Sequence, residues 1–226
     1  MTHRQHLLIL FLSIALDFVL GFLNYSESKV YITGTASGLK PFLPAIIGNF
    51  YIIASLFNSY SIIIYCNRSD IEILQGSNWL KNDSNVHVIE EGKYGAGFEQ
   101  KPARLAFGRN KILTAVNNDI RRHNVNIDTS FLVMVDLDEV IGNIINRTVL
   151  SEALDRNEEW DAVSFNRKRY YDIWALRYNK FSANVCSFGP DSGLLVRIIM
   201  NDISSLLQSH TQLFFPVYSA FNGIAV

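Results

Sequence analysis

Phe131-Leu132-Val133-Met134-Val135-Asp136-Leu137-Asp138-Glu139-Val140 is the stretch on which the fold reading turns. An unbroken apolar run, bounded by charge, is the pattern of a strand buried on both faces, as in a parallel sheet. Two carboxylates follow, one residue apart. Burying a charge is costly unless it is paired or holds a metal, so acids at the end of a core strand need a function. Ligands bind at the carboxyl ends of the strands in open α/β sheets. At period two Asp136 and Asp138 project to one side, where they can share a hard divalent cation with a phosphate.

Outward from that strand the chain alternates. Lys29 to Thr33 reads as a first strand, and Gly34-Thr35-Ala36-Ser37-Gly38 as the turn after it. A helix over 42–57 follows, with Pro41 and Pro44 in its opening turn. Ser61 to Tyr65 is a second strand, 71–79 a short helix and Val86 to Ile89 a third strand. A helix from Ala103 to Arg122 then carries a basic face of Arg104, Arg109, Lys111, Arg121 and Arg122. Trp160 to Phe165 reads as a further strand. Strands alternating with helices imply an α/β class with a mostly parallel sheet flanked by helices.

Composition narrows the function. Basic and acidic residues nearly cancel, 20 against 21, which argues against a nucleic-acid partner. Cys66 and Cys186 show no paired spacing and read as free, buried thiols. Residues 1–28 hold an apolar run from Leu7 to Leu23 behind His3, Arg4 and His6, interrupted by Ser13, Asp17 and Gly21. It is expected to be an uncleaved signal-anchor, giving a type II, membrane-associated protein with a lumenal domain in the endoplasmic reticulum or Golgi. The competing reading is a core helix carrying Asp17, which would leave the protein cytoplasmic. Sequons at Asn24, Asn67, Asn82 and Asn146 are compatible with the lumenal choice. Residues 29–226 are expected to form one domain.

Several polar positions join the acidic pair. Thr33, with Gly34 and Thr35, and Asn67 with Arg68 and Ser69 follow the first two strands and fall on the sheet edge that carries Asp136. No Walker loop and no GxGxxG fingerprint is formed by the glycines, which argues against mononucleotide kinases and dinucleotide oxidoreductases. Arg104 and Arg109 are about 140° apart around a helix, so both cannot face one ligand ideally; one can grip a diphosphate. Tyr170, Tyr171, Asp172 and Trp174 could build a sugar platform, although aromatic clusters are more often core.

The TGT first loop, the RLAFGRN helix, VMVDLDEV, YYDIWALRY and the late FFPVYSAFNGIAV strand together resemble nucleotide-sugar-dependent glycosyltransferases of the GT-A fold. Within these the chain is most similar to fungal capsule-associated mannosyltransferases and their relatives in large DNA viruses, over most of 29–226. The resemblance implies a GT-A-like, Rossmann-like sheet and transfer of a sugar from a GDP- or UDP-linked donor to a glycan or glycoprotein acceptor. It implies Mn²⁺ or Mg²⁺ on Asp136 and Asp138, acting as a Lewis acid on the leaving diphosphate. Thr33, Asn67 and Arg68 would meet the nucleoside, and Arg104 or Arg109 the phosphates. Tyr171, Trp174, Phe221, Asn222 and Gly223 would lie on the sugar or acceptor side.

Such domains normally continue beyond the late strand with a catalytic carboxylate. The chain ends at Val226, so a missing carboxy-terminal portion is expected, with Asp172 and Glu139 as the candidate bases. Two alternatives follow: a carbohydrate- or nucleotide-binding remnant without catalysis, and a haloacid dehalogenase-like phosphatase. The latter carries its Asp-x-Asp near the start of the domain, whereas here it lies past the midpoint.

Overall fold

The structure, a computed structural model, describes residues 27–92, 101–165, 201, 205 and 224–226. The chain divides into two compact units, Met1–Glu159 and Trp160–Val226. In the first, four strands form an all-parallel, Rossmann-like sheet: β1 (Lys29–Ala36), β2 (Ser59–Cys66), β3 (Val86–Glu90) and β4 (Ser130–Leu137). Their spatial order is β3-β2-β1-β4. The helices are α1 (Leu43–Ala54), α2 (Arg68–Gly76), α3 (Trp79–Asn82), α4 (Lys101–His123) and α5 (Arg147–Leu154).

Pleating sends alternate residues of each strand to opposite faces. Tyr31, Ile63 and Tyr65 pack with Ile112 and Val116 of α4 on one face. Ile32, Ile62 and Ile64, one residue out of phase, are buried on the other, while Ile46, Phe50 and Ile53 of α1 are fully buried as well. Both faces are thus covered, and this is why the strands read as continuous apolar runs.

The first strand runs longer than its sequence suggests. Gly34, Thr35 and Ala36, expected to turn, extend β1 to Ala36. Gly34 belongs there for closeness and not for turning: a Cβ would lie 2.6 Å from the Val135 carbonyl oxygen and 2.7 Å from Leu137 Cγ. β4 likewise runs through Asp136 to Leu137, leaving only Asp138 beyond it. The helix expected over 71–79 is instead α2 followed by α3. Asn67 explains its early start, since its side chain accepts from Asp70 N and caps the helix. Asn146 caps α5 in the same way through Thr148 N, and no helix was expected there.

Of the second unit, described residues show one antiparallel bridge between Ser164 and Ala225 of β5 (Ile224–Ala225), flanked by reciprocal Val163–Val226 backbone bonds of 2.9 Å. Trp160 to Phe165 is therefore not an extended strand; only Val163 and Ser164 pair with the 225–226 backbone among the described residues. Among the described residues no helix is long and apolar enough to cross a membrane, and Leu7 to Leu23 lies outside them.

Candidate functional site

Strands β2 and β3 lie on one side of β1 and β4 on the other, so the connection reverses direction between β1 and β4. At such a reversal the loops leaving the carboxyl ends diverge and open a crevice. A cleft lies there, lined by Thr35 and Ala36 of β1 with Ser37 after it, Tyr65 and Cys66 of β2 with Asn67 after it, Glu91, Arg104 and Leu105, and Asp136 of β4 with Asp138 beyond its end.

Register explains the lining. Thr35 is opposite Tyr65 on one side and Asp136 on the other, so three polar side chains form one row across the sheet. They share the face that α4 covers. Gly108 lets α4 approach that row: a Cβ there would stand 2.7 Å from the Tyr65 ring and 3.2 Å from the Thr35 methyl. Arg109 follows immediately, and its Nη2 donates to Asp136 Oδ1 at 3.0 Å.

Two buried polar residues hold the loops around the cleft. Asp70, almost wholly buried on α2, accepts from Leu39 N at 3.0 Å and Gly38 N at 3.3 Å, which fixes the loop after Ser37. Asn49 on α1 is fully buried. Its Nδ2 donates to the Ile141 and Asn143 carbonyls, and its Oδ1 accepts from Ile145 N at 2.8 Å. These three bonds pin the segment that follows Asp138. Charge-assisted or multiply satisfied buried groups of this kind rigidify their surroundings.

The expected site residues fall into three groups. Asn67, Arg104, Asp136 and Asp138 line the cleft, and Arg109 reaches it through Asp136. Both arginines thus approach one cleft despite their separation around the helix. Thr33 lies one pleat deeper, fully buried, and its hydroxyl donates to the Val133 carbonyl; Thr35 takes the cleft position instead. Arg68 is exposed beside Glu72 at 3.8 Å, and Glu139 is exposed in the 3₁₀ turn Glu139–Ile141; neither lines the cleft. Tyr171, Asp172, Trp174, Phe221, Asn222 and Gly223 lie outside the described residues.

Sequence reasoning passed over Tyr65, Ser37, Glu91, Asn49 and Asp70. Tyr65 and Ser37 were accessible from the rule that strand carboxyl ends line a site. Asn49 and Asp70 carried no local signal, because their partners are distant in sequence. The Cys66 thiol is free and buried, and burial, then the Asp70, Glu90 and Glu91 charges, push its pKa up to about 12.

Asp136 and Asp138 are hard oxygen donors. Among the described residues no three His, Cys, Asp or Glu side chains converge. The pair therefore fits a Mg²⁺- or Mn²⁺-type cation that takes its other ligands from water and a phosphate, and not one caged by protein alone. Tyr65 Oη is the one buried side-chain oxygen or nitrogen among the described residues without a hydrogen-bond partner. Such a group costs roughly 1–3 kcal/mol.

The chain matches no protein-family model and no curated protein. The structure shows an architecture: an α/β fold with a Rossmann-like, four-strand parallel sheet.

Proposed function

We propose that the protein is a GT-A-type glycosyltransferase, moving a sugar from a nucleoside-diphosphate donor to a hydroxyl of a glycan or glycoprotein. One observation carries the reading: the Asp136/Asp138 pair opens into the cleft at the switch point, with Arg104 in its lining and Arg109 on Asp136. A cation on the pair supplies Lewis-acid stabilisation of the diphosphate leaving group. Arg109, bonded to Asp136, contributes fixed positive charge beside the same phosphates, while Arg104 lies with Glu91 in the lining. Asn67 and the Thr35–Ser37 segment offer neutral hydrogen bonds to the rest of the donor. In this reading Tyr171, Trp174 and 221–223 serve the acceptor side, Asp172 or Glu139 is the general base, and 7–23 attaches the protein to the membrane.

The test is a thermal-shift series with UDP-, GDP- and CMP-sugars, with manganese and with EDTA. A donor at a hundred times its Kd adds about 2.7 kcal/mol of stability. One nucleotide is expected to stabilise the protein in manganese, with the shift lost in EDTA. Asp138→Asn is expected to abolish that shift while leaving the ligand-free midpoint near wild type. Undiminished donor binding by Asp138→Asn would remove the assignment.

A further inference from the structure

Tyr65 is 5% exposed, its oxygen is shielded from solvent, and among the described residues no partner takes its hydrogen bond. Its ring packs with Tyr31, Ile63, Ile112 and Val116 and against Gly108, and the residue lines the cleft. A phenylalanine would fill the same space without an orphaned oxygen. Native structures satisfy nearly all buried polar groups, and an exception inside a cleft calls for a cause.

The surroundings of the hydroxyl define what could satisfy it. Burial and then the Glu91 carboxylate raise its pKa, with Arg104 offsetting in part, so Tyr65 keeps its proton and donates. Glu91 is 12% exposed beside it, and Arg104, 44% exposed, is only loosely paired with Glu91 at 3.9 Å. A nearly buried carboxylate repels phosphate from this end of the cleft. It does not repel an uncharged oxygen. The acidic pair across the Thr35 row is where a cation would draw phosphates instead.

We infer that Tyr65 is a ligand-recognition residue, whose hydroxyl is completed by a carbonyl or hydroxyl oxygen in the uncharged, nucleoside part of the bound donor. This inference rests on the nucleotide-sugar reading and adds to it a specificity contact. The hydroxyl is a liability without ligand and an asset with it. A site built to hydrogen-bond a ligand also rejects analogues lacking the matching atom.

The experiment compares wild type with Tyr65→Phe in two measurements: ligand-free thermal midpoint, and Kd by calorimetry for UDP, GDP and pyrophosphate, each with manganese. The variant is expected to match or exceed the wild-type midpoint, because it loses no native bond. Its affinity for the nucleoside diphosphate that wild type binds is expected to fall roughly five- to tenfold, the size of one hydrogen bond. Pyrophosphate affinity is expected to be unchanged. A lower ligand-free midpoint would show that the hydroxyl is already satisfied internally and would overturn the inference. So would equal nucleotide affinities, or equal losses for nucleotide and pyrophosphate; in these cases manganese-dependent binding by wild type keeps the functional reading intact. Metal-independent nucleotide binding that Tyr65→Phe weakens would uphold Tyr65 and sink the metal assignment. Failure of wild type to bind any of the three would overturn both.

Discussion

Gly108 shows how one side chain's absence shapes the site. It sits in the interior of α4, where glycine costs about 1 kcal/mol relative to alanine, so helix propensity alone favours replacement. Packing opposes it: the added methyl would press to 2.7 Å against a Tyr65 ring already confined by core neighbours. Overpacking a confined site costs typically about 1–3 kcal/mol, which outweighs the propensity gain. Gly108→Ala is therefore expected to lower the unfolding free energy by roughly 1–2 kcal/mol in urea titration. It should also weaken donor binding, since Tyr65 and Thr35 line the cleft. An unchanged or raised midpoint would mean that α4 can shift away from the row.

Among the elements, the turn after β4 depends most on a distant residue. The 3₁₀ turn Glu139–Ile141 and the backbone to Ile145 have one buried amide, Asn49, as the clamp that holds them to α1. Asn49→Ala would leave two carbonyls and one N–H without this partner, each worth about 1 kcal/mol net and more where water cannot replace it. The expected loss is about 2–4 kcal/mol, with a fall in manganese affinity because Asp138 immediately precedes the turn. Asn49→Asp, which keeps the acceptor for Ile145 N but removes both donors, should be at least as damaging. Wild-type metal binding by Asn49→Ala would show that Asp138 is held by β4 alone. Element types were legible in advance because periodicity reports burial: the four strands and the 101–123 helix follow it closely. Ends were less legible. Gly34 looked like a turn signal and proved to be a close-approach residue, and two asparagine caps moved or revealed α2 and α5.

At the scale of the whole molecule, α4 spans the sheet from the cleft to the opposite edge. Near its end Asp119 accepts from Lys29 Nζ at 2.7 Å and Tyr31 Oη at 2.8 Å, and lies 3.0 Å from His123 Nδ1. Burial alone would raise the Asp119 pKa. The bonds from Lys29 and Tyr31, then the Lys29 and His123 charges, outweigh it and hold the carboxyl below its ordinary 3.8. A folded-state pKa below the unfolded one gives stability that is present above the unfolded value and lost as pH falls through the folded value. The link between α4 and the start of β1 should thus be at full strength above about pH 5 and fade through pH 4 and below. Thermal midpoints of Asp119→Asn should lie below wild type at pH 6, and the gap should narrow as pH falls below 3.8. A constant gap across that range would show that Asp119 contributes shape and not charge.

The sequence by itself determined the α/β class, the buried strand whose carboxyl end carries Asp136 and Asp138, and the single edge on which the β1, β2 and β4 loops emerge. These follow from local pattern, since apolar runs and charge at their ends report which residues leave water. Only the tertiary structure decided that β4 joins β1 on the side away from β2, which opens the cleft at Asp136. It alone set Tyr65, Thr35 and Asp136 in one row, put Thr35 in place of Thr33 at the cleft, and buried Asn49 and Asp70 against remote backbone. A strand's periodicity says that a face is buried but not what covers it. Partner and register are settled by the burial and hydrogen bonding of segments about 30 to 100 residues apart, whose joint energy no local window contains.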